Sequence, residues 1–200
     1  MRVLIWLQRD LRIHDHEAFI KAEKEAHEIV CLFVLDQQEL QDFPEGFPRW
    51  SNRKRCFLND CLRDLHYSLN FYGVSLLCRE GDTTKVIGDI TKDLQIDEVW
   101  FTDTAGTEEE IRQKRIQENF KTQVFQGQSL LHKDDLPFEI EFLPAVFTEF
   151  RKRVEKFSGF RAPMPKPKAL KGINVDIDPQ IPGPAGLPVD ERSAFPFRGG

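Results

Sequence analysis

Val3-Leu-Ile-Trp-Leu7 is followed at once by Gln8-Arg-Asp-Leu-Arg12 and then by Ile13-His-Asp-His-Glu-Ala-Phe-Ile20. Five consecutive apolar residues bounded by charge read as a strand buried on both faces, the pattern of a parallel sheet. Asp15 stands where it can cap a helix carrying Glu17 in its first turn, where a carboxylate suits the helix dipole. Between strand and helix lies a dense polar turn with Arg9, Asp10, Arg12 and His14. Turns at the carboxyl ends of strands are where open α/β sheets bind ligands. The plainer alternative is that these charges pair with one another and only hold the turn, with His14 as a turn-stabilising residue rather than a base.

Outward from this stretch the same unit repeats. Residues 29–35 form a second continuous apolar run, followed by an irregular segment over 36–50 that contains Pro44, Gly46 and Pro48. Ser51 caps a long helix whose apolar face is Leu58, Cys61, Leu62, Leu65, Leu69 and Tyr72, and Gly73 ends it. A third strand is expected over 74–78. Asp82 then caps a helix facing inward with Val86, Ile87, Ile90 and Leu94. A fourth strand covers 98–102, Thr107 caps a charged helix over 108–119, and a fifth, less apolar strand over 122–126 suits a sheet edge. Strands alternating with helices at this spacing predict right-handed crossovers and a doubly wound five-stranded parallel sheet of α/β class, with helices on both faces.

After Gly127 the alternation stops. Pro144 is expected at the first position of a further helix, with Val146, Phe147, Phe150, Val154 and Phe157 as its apolar stripe. Eight of the twelve prolines fall in residues 161–200. That composition predicts an extended linker, poorly packed and removable without lowering the melting temperature. The division is thus residues 1–160 as the α/β domain and 161–200 as a Pro-rich linker.

The net charge of -5 argues against DNA as a direct partner, because affinity there rests on phosphate neutralisation. No apolar run is long enough to span a membrane, and the chain begins directly in a strand, so the expected compartment is the cytoplasm. Cys31 and Cys78 sit inside apolar runs as small core residues, and neither a zinc site nor a disulfide framework is suggested.

Trp6, Asp10, Leu11, Arg12, His14 and Asp15 resemble the opening Trp-Phe-Arg-x-Asp-Leu-Arg-x-His-Asp-Asn of the photolyase/cryptochrome family. Leu7, Gln8 and His16 stand where that motif has Phe, Arg and Asn. Leu130-Leu-His-Lys-Asp-Asp-Leu-Pro-Phe138, with Leu143-Pro144, Val146-Phe-Thr148 and Phe150-Arg-Lys152, resembles the DASH cryptochrome branch more closely. The resemblance covers about residues 2–160. It implies the N-terminal antenna domain of a light-driven flavoprotein. The parent would repair cyclobutane pyrimidine dimers in DNA by electron transfer from photo-excited reduced FAD. FAD would sit in a separate helical domain of the same parent chain, so this stretch alone is expected to be non-catalytic and free of FAD. Phe195-Pro-Phe197 resembles the linker end just before that domain.

The same resemblance implies a folate antenna, methenyltetrahydrofolate, held by Glu109 with Glu108 beside it. A carboxylate can accept paired hydrogen bonds from a pterin edge, and the first turn of a helix favours its anionic form. The bland alternative is an acidic N-terminus on a solvated helix. Thr104-Ala105 and Arg49-Trp50-Ser51 depart from the usual Glu-Val and Lys-Thr-Gly at those places. Two other functions fit the fold class. A stand-alone nucleotide-binding protein should show a Gly-rich phosphate loop, which the turn at 8–12 lacks. A ligand-free docking module would use Trp50, the Phe-rich helix, Phe195 and Phe197 as its contact surface.

Overall fold

Alternate residues of each strand face opposite ways, so a strand whose interior positions are consecutively apolar needs a cover on both sides. β1 (Arg2–Leu7), β2 (Glu28–Asp36) and β4 (Glu98–Thr102) are such strands, polar only at their ends. In the computed structural model, which describes residues 1–157, 159–173, 175, 178–181 and 199, they form the centre of one sheet. With β3 (Leu76–Gly81) and β5 (Thr122–Phe125) the order is β3-β2-β1-β4-β5, all parallel. β5 is at an edge, as its mixed composition implies.

α1 (Glu17–Glu25) and α3 (Asn52–Phe71) cover one face, and Phe19, Leu62, Leu65 and Leu69 meet Val3, Ile5, Cys31 and Phe33 there. α4 (Thr83–Asp93) and α5 (Thr107–Asn119) cover the other, where Ile87, Ile90 and Ile116 meet Leu4, Trp6, Leu32 and Phe101. Ser51 and Asp82 cap their helices through the amides of Lys54 and Lys85. Gly73 follows α3 at φ 68°, the left-handed position a glycine fills most readily. Cys31 and Cys78 are buried as free thiols, and burial pushes the Cys78 thiol up to about 12.

Several local expectations are corrected. The residue flanking α1 is His16, with no side-chain cap, while Asp15 turns into the left-handed region at φ 49°. Thr107 is the first residue of α5 rather than its cap, which is Gly106. β3 begins two residues late because the Val74 amide is still spent on the Leu69 carbonyl at the exit of α3. The segment 36–50 contains a short α2 (Gln37–Leu40) and an antiparallel bridge between Asp42 and Pro48. Pro144 does not start the last helix. A 3₁₀ turn (Ile140–Phe142) closes first, Leu143 before the proline leaves the helical region at ψ 124°, and α6 runs Phe147–Phe157. Of its expected stripe only Val154 is buried, and Val146, Phe147 and Phe157 are exposed.

The expectation of a loosely attached tail is also overturned for the described residues. Ile29 donates to the Lys171 carbonyl and accepts from the Ile173 amide, both at 2.8 Å, and Cys78 donates to the Pro179 carbonyl at 2.7 Å. Leu170 and Ile181 pack on one core face, Ile173 and Val175 on the other. Prolines in that segment remove donors, but the sheet needs mainly its carbonyls. Phe195 and Phe197 lie outside the described residues.

Candidate functional site

β1 ends between two neighbours whose connections leave in opposite directions, β2 on one side and β4 on the other, and a crevice opens at such a point. Here it is a cavity of about 420 Å³ above Trp6, Leu7, Phe33 and Val34. The turn of residues 8–12 forms one wall, the first turns of α3 another, and Glu109 and Arg112 of α5 a third.

The turn is held by one buried carboxylate. Asp10 accepts the Gln8 amide at 2.9 Å through Oδ1, and its Oδ2 lies 2.9 Å from His16 Nε2. Neither of those last two atoms has another hydrogen-bond partner among the described residues, and both side chains are 2 % exposed. Burial alone would push the Asp10 carboxyl up. The hydrogen bond and charge of His16, with Thr102 and the Gln8 amide, outweigh it and hold the group below its ordinary value. The turn charges therefore do not pair among themselves. Arg9 reaches Glu109, and Arg12 donates to the carbonyls of Asp15 and Gly127. His14 is exposed, and the histidine that stabilises the turn is His16.

Glu109 and Glu108 do not converge. Glu109 is mostly buried on the cavity wall, paired with Arg9. Glu108 is half exposed and takes the Arg49 guanidinium at 2.7 and 2.9 Å, facing a separate polar cleft with Arg115. Gly106, at φ 140°, lets Glu109 fold back, since a Cβ there would run into its carboxylate. Gly106→Ala is expected to cost about 1–2 kcal/mol in urea unfolding. A loss below about 0.5 kcal/mol would mean that the loop and Glu109 rearrange freely.

Other wall residues carried no periodic signal in the sequence. Lys54 Nζ sits 3.8 Å over the Trp50 ring, a cation–π contact, and burial pushes its ammonium pKa down against the opposing charge of Glu39. Arg112 bridges Glu39 at 3.2 Å and Asp36 at 3.6 Å. Burial pushes the Asp36 carboxyl up, but Thr83, the Gln38 amide and Arg112 together hold it below the usual range. Four cations against two carboxylates, beside an indole, suit a planar aromatic ligand with an anionic group.

Comparison with known proteins gives a consistent answer. A sequence model of the DNA photolyase family matches residues 3–168. Cryptochrome DASH of Gloeobacter violaceus is 35% identical over 99% of this chain and 42% of its own length. Cryptochrome DASH of Danio rerio is 34% identical over 99% of the chain and 41% of its own length. The crystal structure of the Synechocystis sp. PCC6803 cryptochrome superposes with a TM-score of 0.87 at 28% identity, covering 100% of this chain and 43% of that one. The chain thus spans about two fifths of the length of these relatives. With the family's sequence model matching most of its residues, the chain belongs to the DNA photolyase family and corresponds to the N-terminal domain of the DASH cryptochromes.

Proposed function

We propose that this chain is the light-harvesting and scaffold domain of a DASH-type protein whose parent splits cyclobutane pyrimidine dimers, using an electron from photo-excited reduced FAD. The FAD belongs to a helical partner domain of the same parent, and damaged DNA is met only through that parent. By itself this domain is non-catalytic. The observation that carries the reading is the cationic, indole-walled cavity at the switch point, with Glu109 in its wall.

The side chains present fit a reduced folate there. Glu109 offers a carboxylate to a pterin edge, Trp50 an aromatic wall, and Lys54 and Arg12 positive charge for the glutamate tail. The folate would supply near-ultraviolet absorption. The protein's part is to orient the ring and exclude water around it. Glu108, turned toward Arg49, assists only by keeping the first turn of α5 acidic.

A second surface supports the partner. Phe142, Leu143, Val146, Phe147 and Phe157 are exposed together around α6, beside an apolar groove of about 740 Å³. A patch of this kind suits a domain interface. No helix among the described residues is long and apolar enough to cross a membrane, and we assign the domain to the cytoplasm.

Titrating methenyltetrahydrofolate against the wild type and Glu109→Gln tests the reading. Binding should be in the tens of micromolar, about tenfold weaker in the variant, because the amide replaces one charged acceptor by a donor. Equal affinity in both proteins removes Glu109 from the site. A thermal shift with ATP, and none with the folate, would favour the stand-alone nucleotide-binding alternative.

A further inference from the structure

Asp15 is a non-glycine residue at φ 49°, a conformation that L side chains leave unless something holds them there. Two hydrogen bonds hold it, and both come from residue 164. The Asp15 amide donates to the Met164 carbonyl at 2.9 Å, and the Met164 amide donates to Asp15 Oδ1 at 3.0 Å. The Asp15 carbonyl, turned by the same conformation, accepts the Arg12 guanidinium at 3.1 and 3.3 Å. Arg12 is a wall residue of the cavity, and its own amide closes the turn onto the Asp10 carbonyl at 2.7 Å. One residue of the segment that follows the sheet domain therefore sets the backbone on which a cavity wall depends.

We propose that the described residues between 164 and 181 are a strap coupled to the cavity through this Asp15–Met164 latch, so that docking of the strap tightens the turn of residues 8–12 and release loosens it. Direct contact between strap and ligand is not required. The latch is one end of a longer attachment. The amides of Lys168 and Ala169 share Glu23 Oε1 at 2.7 and 3.0 Å, and Lys171 and Ile173 bracket Ile29. Loss of the latch alone leaves the strap on the sheet, which makes its effect on the turn separable. The consequence for ligand affinity rests on the cavity being the folate seat. The coupling itself does not.

The test is hydrogen exchange on the full chain, read at the Gln8 and Arg12 amides, whose acceptors are both on Asp10. Asp15→Gly deletes the latch acceptor and leaves a residue at ease in the left-handed region. Asp15→Asn keeps an acceptor oxygen and tolerates the same conformation. Met164→Pro removes the donor from the strap side, where Pro163 and Pro165 already restrict the backbone. Asp15→Gly and Met164→Pro should each speed exchange at Gln8 and Arg12 about fivefold, the factor one hydrogen bond is worth, with Asn close to wild type. Unchanged exchange at Gln8 and Arg12, with any acceleration confined to the Asp15 amide, would overturn the coupling. Met164→Pro alone decides if the glycine variant does not fold. In a parallel folate titration, Met164→Pro should weaken binding by a similar factor. No binding by wild type would sink the folate seat while leaving the exchange result to decide the coupling.

Discussion

Truncation after Phe160 is expected to lower the melting temperature by about 10–20 °C relative to a chain ending at Ile181. The segment between completes the sheet at its amino-terminal end. Ile29 loses partners for both its amide and its carbonyl, and Cys78 loses the acceptor of its amide. Leu170, Ile173, Val175 and Ile181 uncover the two core faces they lie against. Four partly buried aliphatic side chains at about 1 kcal/mol each, with three backbone hydrogen bonds at about 0.5 kcal/mol each, come to roughly 5 kcal/mol. For a domain of this size each kcal/mol moves the midpoint by about 2–4 °C. Scanning calorimetry of the two chains decides it. A difference under about 3 °C would return residues 161–181 to the status of a tether.

Asp10→Ala should cost about 3–5 kcal/mol, the range for breaking a buried network by removing the carboxylate at its centre. It leaves the Gln8 amide without its acceptor and His16 facing an apolar gap. Asp10→Asn keeps an oxygen for Gln8, removes the charge and turns the second oxygen into a donor toward His16, so its cost should be smaller and should depend on pH in a defined way. The Asp10 carboxyl is held below its ordinary value of 3.8 in the folded state. Its stabilisation is therefore fully present above that value and is lost as pH falls through the folded one. The gap between wild type and Asp10→Asn in urea midpoint should be widest near neutrality and close as the solution is acidified below about pH 4. A gap that stays constant from pH 7 to pH 3 would show that the Asp10 charge contributes nothing beyond its shape.

How much was legible in the chain varied with the range of the interaction. β1, β2 and β4 have consecutively apolar interiors, and their alternation with helices made a doubly covered parallel sheet readable. Ser51, Gly73 and Asp82 act within one turn of where they stand, so their caps were readable. Asp15 and Thr107 have the same chemistry and did not cap. Asp15 is drawn off by Met164, and Gly106 takes the flanking position before α5. α6 shows the converse case. Its stripe is a genuine 3.6-residue pattern, yet Phe147 and Phe157 stay exposed among the described residues.

The site divides in the same way. Glu109 was named from a motif, and the structure puts it on the cavity wall. Glu108, one residue earlier and so about 100° round the helix, faces elsewhere. Trp50 drew notice as a departure and as a docking contact, not as a cavity wall, while Lys54, Glu39 and Arg112 drew none. They come from three separate segments, and no spacing rule links residues that meet only after the sheet has formed. His16 was read as a substituted Asn, and its burial against Asp10 could not be seen before the turn closed over it.

By itself, then, the sequence determined the class of fold, the five strands, the helices other than the short α2, and the family, because those rest on periodicity, local caps and motifs that each act within a few residues. Only the tertiary structure decided that Lys171, Ile173 and Pro179 hydrogen-bond to β2 and β3, that Asp10 and His16 share a buried contact, and that the two neighbouring glutamates part company. Each of those turns on which distant group supplies a missing hydrogen-bond partner or charge, and a buried polar group is satisfied by whatever the fold brings to it.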